Sequence, residues 1–161
     1  MARMTWNFSL EPVGTADATA LRRAYFGDVA SSYYGRLVPE DEYDEEMIAE
    51  GIELLAPPTG QFLVGRHDGT PAACGGFTLL DAERAELTRV FIRPEFRGKG
   101  GADLLVGALE DAARTLGARR TVLNTRLDLV EARAVYTRNG YDEIPAYCTG
   151  PYMEIWYGKE L

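Results

Sequence analysis

The sequence predicts an α/β (α+β) fold, in which a mixed and mostly antiparallel sheet of about six to seven strands carries about four helices on its faces. Two observations lead to this prediction. Strand-like and helix-like segments follow one another in the order β-α-α-β-β-β-α-β-α-β-β, and the three consecutive strands in the middle show the turn signals of a meander. A chain of 161 residues is most simply one domain, so we expect a single domain over residues 1–161.

The N-terminal part of the sequence predicts one strand and two helices. Apolar residues alternate in TWNFSLE (5–11), which is the pattern of a half-buried strand. A helix is expected from Asp17 to about Phe26, followed by a polar and aromatic connection at 31–39. Pro39 then opens a second helix through about Ala49, and its many acidic residues are typical of a solvated helix face.

The three middle strands are marked by their turns and glycines. QFLVGRH (61–67) and PAACGGFTLL (71–80) flank Asp68-Gly69, which is a strong signal for a two-residue hairpin. Gly75-Gly76 indicates a bulge or a close approach of another group to the backbone. AELTRVFIR (85–93) is the third strand. Strict alternation along it places four side chains on one face: Glu86, Thr88, Val90 and Ile92.

The last third of the sequence predicts helices that alternate with strands. An apolar stripe at helical spacing predicts a helix from Gly101 to Leu116, and residues 121–125 read as a short buried strand. Asp128 and Glu131 have the spacing of a capping pair for a helix that ends at Asn139-Gly140. Two final strands are expected at roughly 143–147 and 152–159.

Composition argues against several classes of function. The 17 basic and 25 acidic residues give a net charge of −8, which opposes sequence-independent binding to nucleic acid or to an anionic membrane. We expect a cytoplasmic protein, because the sequence shows no apolar run that could cross a bilayer and no secretory signal pattern. Cys74 and Cys148 suggest neither a disulfide framework nor a zinc site, so no metal is expected. The single histidine, His67, is expected to be exposed beside a turn, which argues against a Ser-His-Asp or Cys-His mechanism.

The stretch RPEFRGKGGADLL (93–105) has an unusual density of glycine. It places three glycines directly before the predicted helix: Gly98, Gly100 and Gly101. Glycine costs backbone entropy, so this cluster indicates unusual dihedral angles or a bare backbone surface. A helix start leaves amides unpaired and carries partial positive charge, and a glycine turn can aim further amides into the same concavity. The result is an anion cradle suited to phosphate, with Arg97 and Lys99 at its rim, unless the segment is only a tight turn.

The motif that fits this stretch is R-x-x-G-x-A, formed by Arg97, Gly100 and Ala102, whereas P-loop and dinucleotide fingerprints do not fit. With this motif the chain resembles the GCN5-related N-acetyltransferase (GNAT) family, whose core motif Q/R-x-x-G-x-G/A grips the pyrophosphate of acetyl coenzyme A. ARAVYTRNGY (132–141) resembles the family's A-x-x-x-Y-x-x-x-G-F/Y segment, and the order of elements matches over essentially the whole chain. The resemblance implies the GNAT fold, acetyl-CoA as cosubstrate and no metal.

The resemblance also implies which residues meet the coenzyme. The pantetheine arm pairs with the backbone of the strand before the glycine turn, and the pyrophosphate lies on the turn. Many members have an asparagine seven residues before the family's tyrosine, where this chain has Leu129, and Asn124 could supply an amide instead. The implied coenzyme-binding residues are Val90, Phe91, Ile92, Arg97, Gly98, Lys99, Gly100, Gly101, Ala102, Asn124 and Tyr136.

Two residues are candidates for catalysis of direct amine attack on the thioester. Tyr136 occupies the position of the tyrosine that the family commonly uses as a general acid, although an aromatic residue there could simply pack in an amphipathic helix. Glu86 is the candidate base, because family members often carry a water-coupled glutamate on this strand. A water wire without Glu86, and an exposed Glu86 with no role, are the alternatives.

The acyl acceptor is the least determined part of the prediction. The family's first helices usually wall the acceptor pocket, and the candidate substrate-binding residues are Tyr33, Tyr34, Arg36 and Tyr147. The tyrosines could bind an apolar or cationic amine, whereas Arg36 could pair with a substrate carboxylate. We expect acetyl transfer to the primary amine of a small molecule; the alternatives are a protein or peptide N-terminus and a catalytically silent acyl-CoA-binding module. The sequence leaves the oligomeric state open, with a homodimer as one option.

Overall fold

The computed structural model describes residues 5–43 and 45–161, and in them the predicted α/β (α+β) class and order of elements are confirmed. The helices of the described chain are α1 (Ala16–Tyr34), α2 (Glu45–Ala49), α3 (Gly101–Thr115) and α4 (Val130–Arg138). The strands are β1 (Trp6–Leu10), β2 (Gly60–His67), β3 (Thr70–Leu79), β4 (Arg84–Ile92), β5 (Arg120–Thr125), β6 (Asp142–Glu143) and β7 (Ile155–Glu160). None of the helices in these residues is both long and apolar enough to cross a membrane.

The strands of the described chain form one sheet in the order β1-β2-β3-β4-β5-β7-β6. Every neighbouring pair in it is antiparallel except β4 and β5, which run parallel. These two strands pair only where Arg84–Glu86 meets Arg120–Val122. Beyond these residues β4 continues to Ile92 and β5 to Thr125, but the two strands no longer pair with each other, so they diverge. The sheet is therefore mixed and mostly antiparallel, as predicted, and it opens between β4 and β5.

The predicted alternation of side chains along β4 is wrong, because the strand contains a β-bulge. The register between β3 and β4 shifts between Cys74 and Gly76, and Arg89 has a left-handed φ of 55°. Val90 and Ile92 consequently pack in the same apolar cluster as Leu87. Neighbouring side chains in a strand point to opposite faces, so Glu86 lies on the other face from Leu87, and Val90 and Ile92 do not share a face with Glu86.

The glycines of β3 behave as predicted. A Cβ on Gly75 would lie 2.9 Å from Leu109 Cδ1 of α3, so the helix packs directly on the backbone of the sheet. This is the close approach that the glycine pair in β3 predicts. It brings α3 near enough to the sheet for its N-terminus to lie beside the opening between β4 and β5.

Helices cover both faces of the sheet and bury two apolar clusters. On one face α3 contributes Leu105, Val106 and Leu109, and α4 contributes Tyr136. On the other face Leu21 of α1 packs in a cluster with residues of β2, β3 and β4. Burial of these side chains is the main source of stability for such a layered fold. The opening in the sheet is therefore held between two fixed layers of helix.

The first two helices differ from their predicted lengths. α1 begins at a Thr15 cap, whose side chain accepts a hydrogen bond from Ala18 N at 3.1 Å, and it runs past Phe26 as far as Tyr34. Gly27 does not end it, because the Tyr43 side chain packs against the bare glycine where a Cβ would collide. α2 begins at Glu45 and not at Pro39, since a 3-10 turn at Glu40–Glu42 follows the proline.

His67 is buried, with 4% of its surface exposed, which contradicts the expectation that it lies exposed beside a turn. The neighbouring Asp68-Gly69 turn is present, but the imidazole packs against the rings of both Trp6 and Phe96, at centroid distances of 5.0 and 5.5 Å. The histidine thus belongs to an aromatic cluster that connects β1, β2 and the turn after β4.

The predicted capping pair at the start of α4 is not formed. The Asp128 carboxylate accepts two hydrogen bonds from Arg126, at 2.9 and 3.0 Å, and the cap position of the helix is Leu129 without a side-chain cap. A carboxylate that lies beside a guanidinium makes the stronger, charge-assisted contact, so the helix start loses this cap. The final strands are also shorter than predicted, at 142–143 and 155–160.

Candidate functional site

The divergence of β4 and β5 creates a cleft of about 920 Å³. Its walls come from α1, from β4 and the turn that follows it, from the start of α3, from β5, and from α4. Past Glu86 the edge of β4 that faces β5 has no strand partner among the described residues, so the backbone of residues 90–92 borders the cleft, where the Ile92 carbonyl already accepts a hydrogen bond from Arg97. Val90, Phe91 and Ile92, which the sequence analysis assigns to the coenzyme, all line the cleft.

The glycine turn lies at one end of this cleft. Gly98 and Gly100 have φ angles of 74° and 81°, and the space where their Cβ atoms would stand is empty. No backbone or side-chain group of the described chain accepts a hydrogen bond from the amides of residues 98–100, and α3 begins without a side-chain cap. Unpaired amides at a helix start attract an anion. These residues therefore fit the phosphates that the sequence motif implies.

Trp6 supports the glycine turn from β1, which the sequence analysis did not recognise. Its indole Nε1 donates a hydrogen bond to the Lys99 carbonyl at 3.0 Å, and its ring lies where a Cβ on Gly101 would collide. Two glycines of the turn thus provide left-handed backbone, and Gly101 provides room for the indole. The sequence contains no local signal for this contact, because Trp6 and Lys99 lie far apart along the chain.

Charged side chains tie the turn to the helices on each side. Arg97 donates from Nε to the Ile92 carbonyl at 3.0 Å and pairs through Nη2 with Asp28 of α1 at 3.2 Å. Asp103, in the first turn of α3, accepts hydrogen bonds from Arg138 and Asn139, and these contacts lower the pKa of its carboxyl group. Because Arg138 compensates the charge of Asp103, this acidic side chain does not leave an unpaired negative charge beside the cradle.

Tyr136 lines the cleft from α4. The residue is 7% exposed, and its ring packs against Tyr141 and Tyr157 at centroid distances of 5.7 and 6.2 Å. Its hydroxyl has no hydrogen-bond partner among the described residues and is not closed off from the cleft. Burial raises the pKa of this phenol well above its usual range, so the hydroxyl stays protonated and can act as a proton donor.

Glu86 lines the cleft where β4 and β5 separate. Tyr147 donates a hydrogen bond from Oη to Glu86 Oε2 at 2.6 Å, and Arg84 lies over the Tyr147 ring at 6.0 Å. Burial first, and then the Glu86 carboxylate, raise the pKa of Tyr147, so its phenol stays a donor. Asn124 of β5 also lines the cleft and lies 3.9 Å from Cys148 Sγ. The structure thus brings Glu86 and Tyr147 together and places Asn124 in the same cleft.

None of the four predicted acceptor residues is itself among the lining residues of the cleft, and Tyr147 reaches it only through its hydrogen bond to Glu86. Tyr33 and Tyr34 are exposed at the end of α1, where Tyr33 packs against Tyr152 at a centroid distance of 5.1 Å. Arg36 forms an ion pair with Glu42 at 3.0 Å and lies over the Tyr34 ring at 5.6 Å. A direct contact between these three side chains and a ligand in the cleft stays a prediction.

Among the lining residues of the cleft that have no signal in the sequence are two polar side chains, Tyr25 of α1 and Arg89 of the β4 bulge. The Tyr25 hydroxyl has no hydrogen-bond partner among the described residues. Arg89 donates from Nη2 to the Glu50 carbonyl at 2.6 Å, while its buried Nε has no partner. Tyr25 lies in a predicted helix whose pattern does not reveal a cleft beside it, and the bulge that positions Arg89 has no signal in β4 itself.

A mixed sheet that opens beside an anion cradle is the architecture of acyl-CoA N-acyltransferases, and comparison with known proteins agrees. The chain belongs to the acetyltransferase (GNAT) family, whose model matches residues 17–141. The resemblance stated from the sequence motifs is therefore confirmed.

Relatives within the family share part of this chain. The IAA acetyltransferase of Azospirillum brasilense is 30% identical over 102 residues, which are 63% of this chain and 65% of that protein. The amino-acid acetyltransferase of Azotobacter vinelandii is 28% identical over 128 residues, which are 78% of this chain and 29% of that protein. The matches thus span less than two thirds of the length of these relatives.

Solved structures share the whole fold. A proposed acyl-CoA N-acyltransferase from Klebsiella pneumoniae has a TM-score of 0.78 at 25% identity, and the match covers 98% of both chains. The PaiA N-acetyltransferase of Thermoplasma acidophilum, solved in complex with coenzyme A, has a TM-score of 0.70 at 17% identity, with 98% of this chain and 100% of that chain covered. The second likeness shows the fold alone.

Proposed function

We propose that this protein is an acetyl-CoA-dependent N-acetyltransferase that acts on the primary amine of a small molecule. One observation carries the proposal: in the described chain, the amides of the anion cradle have no protein acceptors, the buried Tyr136 hydroxyl has no partner, and both open into the same cleft. Family membership supports the reaction type. The structure of a fold neighbour with coenzyme A bound supports the choice of carrier.

The residues of the cleft fit the parts of this carrier. Amides of residues 98–102 would hold the pyrophosphate, and Lys99 would add positive charge at the rim. Backbone of residues 90–92 would pair with the amides of the pantetheine arm, and Asn124 would offer a side-chain amide across the cleft. The bound carrier supplies an acetyl thioester, which is activated for attack by an amine.

The proposed reaction needs one proton removed and one delivered. The amine nitrogen forms a bond to the acetyl carbonyl carbon, the bond between this carbon and sulfur breaks, and the electron pair of that bond leaves on sulfur. Tyr136 is suited to protonate the leaving sulfur, because burial keeps its phenol in the protonated form. Glu86 would take the amine proton, directly or through water, and the hydrogen bond from Tyr147 fixes the direction of its carboxylate.

Two observations favour a small acceptor over a protein chain. The Glu86 carboxylate that would meet the amine is half-buried in the cleft, and the Tyr147 hydroxyl covers one of its oxygens at 2.6 Å, which suits a compact amine. The two relatives described above are named for acetylation of IAA and of an amino acid. A peptide N-terminus stays the alternative acceptor, and a catalytically silent coenzyme-binding module stays the alternative function.

The proposal is tested by following thiol release from acetyl-CoA with a panel of amines, amino acids, polyamines, aminoglycosides and short peptides. The protein should release coenzyme A thiol with at least one free amine of low mass. Tyr136→Phe should lower kcat by about 100-fold or more, because a general acid typically contributes that much, while the Kd for coenzyme A stays unchanged. Turnover with peptides alone would establish the alternative acceptor, and coenzyme binding without turnover would establish the silent module.

A further inference from the structure

Arg89 and Tyr25 line the cleft, and neither has a role in the transfer of the acetyl group as proposed. Arg89 is half-buried on β4, at the bulge where its φ of 55° redirects the chain. A bulge commonly serves to re-aim a side chain next to a site, and here it places an arginine on the acceptor side of the strand. Tyr25 reaches the same cleft from α1, with its ring held against Phe26 and Phe91 at 5.4 and 6.2 Å.

Arg89 differs from the other arginines of the cleft in having no carboxylate partner among the described residues. Arg97 is paired with Asp28 at 3.2 Å, and Arg138 is paired with Asp103 at 2.7 Å. Within the described residues, Arg89 donates to the Glu50 carbonyl, and its buried Nε has no acceptor. The Glu50 carboxylate acts on Arg89 through space but forms no ion pair with it, and burial outweighs this attraction, since the pKa of Arg89 is lowered. In a chain of net charge −8, a half-buried guanidinium without a direct ion pair in the described residues calls for an explanation.

A second arginine increases the positive potential at this place. Arg22 is 5% exposed, and its hydrogen-bond acceptors in the described chain are all neutral: Val13 O, Ile48 O and Thr19 Oγ1. Burial lowers the pKa of both guanidinium groups, and the charge of Arg89 lowers that of Arg22 further. Two like charges thus lie near each other beside α1, and neither forms an ion pair with an acidic side chain of the described residues, so an incoming anion would relieve their repulsion.

The Tyr25 hydroxyl is the neutral donor beside this charge. Burial raises the pKa of Tyr25, and the nearby Arg89 cation acts in the opposite direction, so the two groups are within electrostatic range of each other. The hydroxyl has no hydrogen-bond partner among the described residues. A protonated phenol and a guanidinium together offer the set of donors that a carboxylate requires.

A purely structural role accounts for part of these contacts. Arg22 and Arg89 donate to carbonyls at the C-terminal end of α2, where a cation also compensates the helix dipole. This role uses one Nη atom of Arg89. It leaves the remaining donors without acceptors, and it explains neither the unpaired Tyr25 hydroxyl nor the position of Arg89 in the cleft wall.

We propose that the acceptor carries a carboxylate next to its primary amine, and that Arg89 and Tyr25 bind this carboxylate. The inference rests on the acetyltransferase function proposed above and names its substrate class, an amino acid or a similar amino carboxylate. A carboxylate at Arg89 leaves the amine in the cleft near Glu86, which lies three residues earlier on the same strand. It also assigns to Arg89 the role that the sequence suggested for Arg36, whose guanidinium is paired with Glu42.

The test compares sets of three acceptors that share a side chain: the amino acid, its carboxamide and the decarboxylated amine. For the wild-type protein, kcat/KM should be about 100-fold higher for the amino acid than for the other two, as expected for a charge-assisted contact. Arg89→Gln should remove this preference by lowering kcat/KM for the amino acid alone. Arg89→Lys should restore part of it, and Tyr25→Phe should reduce it about 10-fold.

Matched controls separate binding from folding. Arg114→Gln removes a guanidinium from the exposed face of α3, where it pairs with Asp111, and should leave the preference unchanged. The Kd for coenzyme A should also be unchanged in the Arg89 and Tyr25 variants. If Arg89→Gln fails to fold, the three-way comparison in the wild-type protein and in Tyr25→Phe still decides the matter.

Three outcomes would overturn the assignment. Equal turnover of the decarboxylated amine by the wild-type protein would refute the carboxylate class while leaving the acetyltransferase function intact. Loss of the preference in Arg36→Gln, with Arg89→Gln unaffected, would move the carboxylate to the other arginine. Absence of thiol release with every amine of the panel would instead refute the proposed function, and the substrate class with it.

Discussion

The two ends of the cleft are built in different ways. The proposed carrier wall, formed by residues 90–92 and 97–102, presents backbone groups from one short segment of the chain, and all of these residues except Lys99 line the cleft. The proposed acceptor wall, formed by Tyr25, Glu86 and Arg89 with Tyr147 bonded to Glu86, presents side chains from elements that are distant in sequence. A binding site made of backbone groups needs particular residues at neighbouring positions. A binding site made of side chains needs only a fold that brings those side chains together.

This difference explains which part of the site a sequence motif can show. Glycines in the turn are required by left-handed φ angles at Gly98 and Gly100, and any chain that builds the same turn meets the same requirement. The acceptor wall has no comparable constraint, since an arginine or a tyrosine can reach it from several elements. Relatives with this fold can therefore keep one carrier and change their acceptors. We expect a sequence motif to predict the carrier wall more reliably than the acceptor wall.

The carrier wall is tested most sharply by Gly100→Asp. The substitution adds a side chain at a φ of 81° and a negative charge beside the cradle. Repulsion between this carboxylate and the phosphates of coenzyme A is expected to cost several kcal/mol of binding free energy. We expect a loss of coenzyme A affinity of about 1000-fold or more, measured by calorimetry.

Gly117→Asp is the matched control for this loss. Gly117 follows α3 with a φ of 96° and open space around it, so the control introduces the same charge and a similar backbone strain at the opposite end of the helix. Coenzyme A affinity should stay close to that of the wild-type protein. Equal losses in the two variants would show that strain, and not the cradle, is responsible.

Much of the fold could be predicted because it depends on local patterns. The Asp68-Gly69 turn and the apolar stripe of α3 each specify an element from neighbouring residues. What failed depended on distant contacts. Gly27 would normally weaken a helix, but Tyr43 packs against it and α1 continues to Tyr34. The burial of His67 likewise requires Trp6 and Phe96, which no pattern around the histidine reveals.

The site followed the same rule. The cradle and Tyr136 were identified from short motifs, and the structure places both on the cleft. The phase of β4 was predicted wrongly because the bulge is opposite Gly75 on a neighbouring strand, so alternation along β4 alone carries no sign of it. Arg89 was missed for this reason, since its position in the wall is a consequence of the bulge.

The acceptor wall is tested next by Glu86→Gln. This substitution keeps the shape of the side chain and an oxygen that can accept from Tyr147, but it removes the capacity to take up a proton. We expect kcat to fall about 100-fold and the low-pH limb of its profile to flatten, as for the loss of a general base.

The matched control for this experiment is Glu83→Gln, an exposed carboxylate in the loop before β4. Its pH profile should coincide with that of the wild-type protein. An unchanged low-pH limb in Glu86→Gln would remove this carboxylate from the mechanism and leave a water wire as the route for the proton. Tyr136 would then be the one proposed side chain that transfers a proton, and the acceptor wall would serve only to bind the acceptor.

The smallest expected effect concerns Trp6. This side chain of β1 is distant in sequence from the glycine turn, yet it supports the backbone of that turn. Trp6→Phe keeps an aromatic ring against the bare Cα of Gly101 but loses the 3.0 Å hydrogen bond to the Lys99 carbonyl. One such bond is worth about 1 kcal/mol, so coenzyme A affinity should weaken about 3- to 10-fold.

Trp156→Phe makes the same chemical change where no bond is lost, because the buried Trp156 indole nitrogen has no hydrogen-bond partner in the part of the chain that the structure describes. Its affinity for coenzyme A should match that of the wild-type protein, and its stability should not suffer from the loss of the N–H group. If Trp6→Phe also bound coenzyme A normally, the glycine turn would hold its conformation without help from β1. The conformation of the carrier wall would then depend on its own residues alone, and a short sequence motif would be enough to predict it.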